Sequence, residues 1–204
     1  MSEAAPSAKT PRYKRAMDLA VLAAAHIAAL PLWALLWVAI PVLIVLDDGR
    51  PVFYRQRRVG KDGALFEVLK FRTMTRGSDE EGPARTARDD PRVTRFGRLL
   101  RRTALDELPQ VLNILRGEMS FVGPRALSAA ESAELAERLP DFALRQAVLP
   151  GLTGLAQVYN SGDDPERKLT YDLDYVRRRS PLLDAKLLVL SAANTLRGRW
   201  DRRG

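Results

Sequence analysis

LAVLAAAHIAALPLWALLWVAIPVLIVL, residues 19–46, runs for 28 positions without an Asp, Glu, Lys or Arg. As one straight helix at about 1.5 Å per residue it would reach roughly 42 Å. A bilayer's hydrocarbon core is roughly 30 Å thick, so a tilted spanning helix is the simplest expectation. Pro31 argues against a single rod. Proline has no N–H to donate and its ring clashes with the preceding turn, which divides the run into residues 19–30 and 31–46. Neither half reaches the roughly 20 residues that a span requires, and the bend is expected at Leu30 and Pro31. Basic residues flank both ends: Lys9, Arg12, Lys14 and Arg15 before the run, and Arg50, Arg55, Arg57, Arg58 and Lys61 after it. Basic flanks favour the cytoplasmic side, so both ends are drawn to one face. A helix that enters, bends and returns satisfies both pulls, but prolines also occur in spanning helices, and the residue pattern leaves both forms open. Pro41 complicates either one. A secretory signal fits poorly, because signal h-regions run only about 7 to 15 residues. His26, the only histidine, reads as a packing residue.

The 204 residues suit one compact domain plus this N-terminal element. Residues 1–11 read as a disordered leader, 12–48 as the membrane helix and 49–204 as a cytoplasmic domain. With 33 Lys+Arg against 25 Asp+Glu, the formal charge of +8 favours anionic partners: lipid headgroups, nucleotides or nucleic acid. The absence of cysteine excludes disulfides, zinc-thiolate sites and thiol catalysis, and suggests no oxidising compartment.

Beyond the apolar run, residues 51–59 form an extended and then basic segment, and Gly60-Lys61-Asp62-Gly63 a turn. Residues 65–71 alternate as a strand that completes a hairpin. Residues 77–90 read as a mobile loop beside the site. Val93, Phe96, Leu99 and Leu100 recur at helical spacing, with Arg92, Arg95, Arg98 and Arg102 on the other flank, predicting an amphipathic helix along an anionic membrane surface. Residues 166–179 and 182–196 read as two helices parted at Ser180-Pro181, the second with a leucine stripe for core packing or a membrane face. The basic cluster 177–179 and the terminal Arg197, Arg199, Trp200, Arg202 and Arg203 suit a headgroup level or plain solvent equally.

Chemistry concentrates at Leu105-Asp106-Glu107-Leu108-Pro109-Gln110. This acidic pair is embedded among Arg85, Arg88, Arg92, Arg95, Arg98, Arg101, Arg102, Arg116 and Arg125, surroundings that suit a phosphorylated substrate. Asp106 can be a plain N-cap, with Glu107 the first residue of a helix that ends at Gly117. The same placement stabilises an ionised carboxylate beside phosphate, and an aspartate can attack phosphorus to give an acyl phosphate.

In this order, Arg58-Val59-Gly60, Lys70-Phe71-Arg72-Thr73-Met74, Leu105-Asp106-Glu107-Leu108-Pro109-Gln110 with Asn113, Gly117-Glu118-Met119-Ser120, Val122-Gly123-Pro124-Arg125 and Pro150-Gly151-Leu152-Thr153-Gly154 with Ala156-Gln157 resemble the small bacterial monotopic phosphoglycosyl transferases. These are the undecaprenyl-phosphate glycosyl-1-phosphate transferases of the bacterial sugar transferase family. The resemblance implies an α+β fold: a re-entrant helix-break-helix in the cytoplasmic leaflet of the inner membrane, then a small mixed catalytic domain with interfacial helices and a short β-hairpin. It implies Asp106 as nucleophile on a nucleoside diphosphate sugar, with a UDP-sugar as the expected donor, and Glu107 as its partner. Mg²⁺ is the implied cofactor, held by Asp106 and Glu107. Arg125 is the implied phosphate contact, with Lys70 and Arg72 as further anion contacts. Polyprenol phosphate is the implied acceptor and membrane lipid the surrounding partner. Nucleic acid is not expected, and self-association is left open.

Three positions depart from the family pattern: Leu30 where Ser often precedes the bending proline, Ala126 where Pro usually follows Gly-Pro-Arg, and Leu155 where Trp is frequent. Without the resemblance, the arginines would serve a non-catalytic basic membrane adaptor equally well. The sugar, the nucleotide and the pathway are not legible in these residues.

Overall fold

A computed structural model describes residues 9–78, 90–160, 162 and 164–197. Most of the expected leader, most of the expected 77–90 loop with Arg85 and Arg88, and Arg199, Trp200, Arg202 and Arg203 lie outside the described residues.

The apolar stretch folds as two helices. α1 (Arg12–Ala28) and α2 (Leu30–Asp48) meet at Ala29, where φ −128° and ψ 28° interrupt the helical path. The bend therefore falls just ahead of Leu30 and Pro31 rather than on them. Both open the first turn of α2, where an N–H has no intrahelical partner to lose and proline is tolerated. Pro41 lies inside α2 without ending it. No serine hydroxyl is present at position 30, and an aromatic pair meets the carbonyls at the break instead. The Trp33 indole Nε1 donates to Ala25 O at 3.0 Å, and its ring stacks on His26 with centroids 4.4 Å apart. Ile27, Leu30, Leu32 and Leu35, around this tip, are exposed. Among the described residues α2 is the one helix long and apolar enough to cross a membrane, with a mean hydropathy of 2.2.

Both free ends of the helix pair are anchored in the remainder of the fold. At the start of α1, Lys14 Nζ donates to Val122 O (2.6 Å), the Tyr175 hydroxyl (3.0 Å) and Asp184 Oδ2 (2.8 Å). One turn on, Asp18 accepts from the Ser120 hydroxyl at 2.8 Å and from the Phe121 N–H at 3.1 Å. At the end of α2, Ile40 and Ile44 are buried with Phe71 and Leu100, Asp47 accepts from the Phe96 N–H (3.0 Å), and Asp48 pairs with Arg72 (2.5 Å).

The expected hairpin is present as β1 (Phe53–Val59) and β2 (Leu65–Phe71), antiparallel with Phe53 opposite Phe71 and Val59 opposite Leu65. β1 takes in the basic stretch that the sequence suggested as a separate segment. α3 (Arg95–Thr103) is capped by Thr94, whose hydroxyl accepts from the Gly97 N–H at 2.9 Å. A Cβ on Gly97 would stand 2.1 Å from Thr73 O, so only glycine lets α3 lie directly on the backbone that follows β2. Leu100 is buried beneath α3, while Leu99 is exposed on its outer side.

The acidic pair does not begin an α-helix. Residues Leu105–Gln110 form a 3₁₀ turn, and α4 (Val111–Arg116) follows and ends at Gly117 as expected. Ala104, left-handed at φ 55°, occupies the position before the turn, so Asp106 is not the N-cap. Pro109 removes one N–H and thereby one α-type hydrogen bond, which favours the tighter winding here.

β3 (Ser120–Val122) and β4 (Gly151–Thr153) form a second, parallel two-stranded sheet that the sequence had not suggested. α5 (Ala129–Arg138) and a 3₁₀ segment (Phe142–Ala147) lie between the two strands in sequence, and α6 (Leu155–Tyr159), α7 (Pro165–Arg178) and α8 (Pro181–Leu196) follow, with α1 and α8 packed on the pair. Val122, Val148, Leu155, Tyr175 and Leu187 close the core between β3 and the last two helices. The outcome is a mixed α+β fold in which small sheets position loops between helices.

Candidate active site

Side chains alternate across a hairpin, so positions 54, 56 and 58 of β1 and 66, 68 and 70 of β2 share one face. That face turns Arg58, Val68 and Lys70 into a small cavity, which the 3₁₀ turn completes with Glu107 and Gln110. Arg125, Ala126, Gly151 and Met119 complete its lining. Lys70 Nζ lies 2.8 Å from Glu107 Oε1 and 3.8 Å from Asp106 Oδ2. Arg125 Nη2 reaches the same Glu107 oxygen at 3.1 Å. Asp106 is buried, whereas the Arg125 side chain stands partly in solvent at the cavity mouth.

Burial pushes the Asp106 carboxyl up and Glu107 adds to the rise, while Lys70, Arg101 and Arg125 pull against it. Burial would also raise Glu107, but Lys70 and then Arg125 outweigh it and hold that carboxyl well below the ordinary range. Direct ion pairs therefore favour the ionised form of Glu107, whereas at Asp106 burial outweighs the nearby cations and the carboxyl is raised above its ordinary range. Arg58 is lowered to about 10 by burial and by the charge of Arg125. It donates to Gln56 Oε1 at 3.0 and 2.7 Å and to Ala126 O, tying β1 to the segment that carries Arg125.

Of the residues singled out in the sequence, Asp106, Glu107, Lys70 and Arg125 are brought together, and Arg72 is not. Its guanidinium is buried against Asp48 Oδ2 and the carbonyls of Asp48, Gly49 and Pro51, so it fastens α2 to the hairpin. Arg72 follows the last residue of β2, where the alternation that would have aligned it with Lys70 no longer holds. Two further arginines support the site: Arg145, which the sequence reading had not assigned to it, and Arg101, one of the arginines read around the acidic pair. Arg145, itself buried, donates to Asp172 Oδ2 at 2.8 Å and to Arg125 O at 2.7 Å, fixing the backbone of the cavity-mouth arginine. Arg101 donates to Thr73 Oγ1 at 3.0 Å and contributes to the field on Asp106.

Among the described residues no three His, Asp or Glu side chains converge as a ready-made metal cage. Two neighbouring carboxylates are the donor type that a hard cation such as Mg²⁺ takes, with its other oxygens from water and substrate phosphates, and such a cation would share them with the Lys70 ammonium that stands between them here. Asp106 and Glu107 are the residues that would hold it.

A conserved sequence model described as bacterial sugar transferase matches residues 9–198. The chain belongs to the bacterial sugar transferase family. Within and around this family, the UDP-glucose:undecaprenyl-phosphate glucose-1-phosphate transferase of Xanthomonas campestris pv. campestris is 43% identical over 180 residues, covering 84% of this chain and 37% of that protein. A protein of the same name from Caulobacter vibrioides is 40% identical over 189 residues, 90% of this chain and 69% of the relative. The exopolysaccharide production protein PSS of Rhizobium leguminosarum bv. phaseoli is 41% identical over 185 residues, 86% of this chain and 90% of the relative. This family member thus spans little more than a third of the Xanthomonas protein and most of the other two.

Proposed function

We propose that this chain is a membrane-associated phosphoglycosyl transferase that moves a sugar-1-phosphate from a UDP-sugar to a polyprenol phosphate and so initiates a lipid-linked glycan. The observation that carries the reading is a cationic cavity lined by Glu107, Lys70 and Arg125, with the buried Asp106 beside it, 3.8 Å from the Lys70 ammonium. The printed activities of the Xanthomonas and Caulobacter relatives give the substrate classes.

In the first half-reaction an Asp106 carboxylate oxygen attacks the phosphorus that bears the sugar. The Asp106 O–P bond forms, the bridging P–O bond breaks, and UMP departs with the electron pair. In the second, a phosphate oxygen of the polyprenol phosphate bonds to that phosphorus and the Asp106 O–P bond breaks, restoring the carboxylate. An anion attacking an anion needs the charge of the site lowered beforehand. Lys70, between the two carboxylates, and Arg125, at the mouth, do this, and the guanidinium fork of Arg125 matches a phosphate edge. Mg²⁺ held by Asp106 and Glu107 supplies further neutralisation of the diphosphate when bound.

For the membrane part we propose a re-entrant, monotopic seat in the cytoplasmic leaflet of the inner membrane. Its support is that the start of α1 and the end of α2 are packed on the same body. The arms left projecting, residues 19–28 and 30–35, are about 15 and about 9 Å long, half or less of a core roughly 30 Å thick, since Leu36, Trp37 and Ile40 already pack on the body. α3 lies beside the end of α2, and Leu43, Leu46, Phe96 and Leu99 line an apolar groove there with Arg95 at its rim. That composition suits an interfacial helix.

The test is UMP release from a panel of UDP-sugars by the full chain in nanodiscs, with Mg²⁺ and undecaprenyl phosphate. Wild type is expected to release UMP and to carry a phosphosugar adduct when the acceptor is omitted; Asp106→Asn is expected to do neither. Folded wild-type protein that releases nothing across the panel refutes the transferase reading.

A further inference from the structure

We infer that Gln110 contacts the substrate in this reaction, its side-chain amide donating to a non-bridging oxygen of the phosphoryl group that Asp106 attacks; the inference rests on the transferase reading above. Gln110 is 4% exposed and lines the same cavity as Lys70, Glu107 and Arg125. Its Nε2 has no hydrogen-bond partner among the described residues. A buried N–H without an acceptor is destabilising for as long as it stays unpaired, so such a group is retained where a ligand supplies the acceptor.

The local winding explains why Gln110 points where it does. In a 3₁₀ turn, side chains three residues apart eclipse one another, and within Leu105–Gln110 that sets Gln110 over Glu107. The amide therefore stands on the side from which Lys70 and Arg125 approach the carboxylate. Those two cations already have a carboxylate partner, whereas the Gln110 donor has none among the described residues.

The chemistry of the missing acceptor follows from the company Gln110 keeps. The polar lining contributes Arg58, Lys70 and Arg125, and Val68 and Met119 provide an apolar floor. Three cations around one carboxylate select an anionic group, and the acceptor oxygen reaching Gln110 is accordingly a phosphoryl oxygen rather than a sugar hydroxyl. A neutral amide adds direction there without adding charge, which orients the phosphorus towards Asp106.

Gln110→Leu keeps the volume and removes the donor, and Gln110→Glu keeps the shape and replaces the donor by an acceptor. Each is compared with wild type in nanodiscs for apo melting temperature, for protection against melting by UDP, and for steady-state UMP release from two UDP-sugars that wild type accepts. Loss of one hydrogen bond to a charged group predicts a fall in kcat/KM of about 10- to 100-fold for Gln110→Leu, equal for both sugars. A larger fall is expected for Gln110→Glu. UDP protection should weaken in both, and the apo melting temperature of Gln110→Leu should be unchanged or higher, because an unpaired buried donor has been removed. A lower apo melting temperature with UDP protection intact makes Gln110 structural and overturns the inference. So does activity within twofold of wild type, and a loss confined to one sugar assigns the contact to a hydroxyl instead. Wild type that releases no UMP from any donor fails the transferase reading itself, whereas an active wild type with an unaffected Gln110→Leu fails this inference alone.

Discussion

Replacing Lys14 by Met should destabilise the whole protein although Lys14 lies far from Asp106 in sequence. The ammonium uses its three donors on Val122 O, the Tyr175 hydroxyl and Asp184 Oδ2, and the ion pair is buried at 7% exposure for the lysine and 0% for the aspartate. Methionine fills a similar volume but leaves Asp184 with only the hydroxyls of Tyr175 (2.9 Å) and Tyr13 (3.4 Å). Asp18 stands in the same network, so a region that held one cation and two carboxylates would hold two carboxylates. Removing one partner of a buried pair costs about 3–5 kcal/mol, mostly from the stranded charge. For a chain of this size each kcal/mol moves the melting temperature by about 2–4 °C, so a drop of about 6–20 °C is expected. The assay is thermal unfolding in detergent followed by tryptophan fluorescence, on wild type, Lys14→Met, Asp184→Asn and the double variant. The double variant should be more stable than Lys14→Met, because the stranded charge is gone. A shift within 2 °C for Lys14→Met, or simple additivity in the double variant, would refute the argument that this buried pair holds α1 to the body.

Two further outcomes follow from the geometry. Arg145→Met should raise the KM for the UDP-sugar several-fold while the Asp106 adduct still forms at saturating donor, since Arg145 acts by holding the Arg125 backbone; equal loss in a variant with normal KM would contradict this. The Tyr13 hydroxyl is pushed up to about 12 by burial and by the Asp184 charge, and Tyr175 is raised in the same sense. Because the folded state binds the Tyr13 proton more tightly than the unfolded chain, its contribution to stability is complete below about pH 10 and is lost as pH rises towards about 12. Melting temperatures between pH 9 and 11.5 should fall more steeply for wild type than for Tyr13→Phe, and parallel curves would dismiss the effect.

The sequence carried the broken apolar run, the hairpin, α3 and the last two helices because each rests on periodicity or a breaker residue that acts locally. Four of the five residues it singled out for the site, Asp106, Glu107, Lys70 and Arg125, come together in the structure, and all four lie in motifs with a clear charge signature. Arg72 failed because its partner, Asp48, is joined to it only by the fold. The parallel β3–β4 pair escaped notice because three-residue strands show no alternation to detect. Arg145 with Asp172, and Lys14 with Asp184, are pairs between distant segments, and a single sequence holds no trace of who meets whom. The bend was misplaced for a physical reason: proline disrupts the turn before it, so the break appears upstream at Ala29.

The two attachments of the helix pair, Lys14 with Asp184 at one end and Asp48 with Arg72 at the other, have a further mechanical consequence. Because neither attachment is a flexible tether, the catalytic body has no slack in which to rise, sink or swivel against its anchor. In the proposed seat, the height and tilt of Asp106 above the lipid phosphates are then set when the chain folds. Under the proposed reaction, a lipid acceptor diffusing in the plane of the leaflet would meet a nucleophile held at constant altitude, and the search for productive contact would be reduced from three dimensions to two.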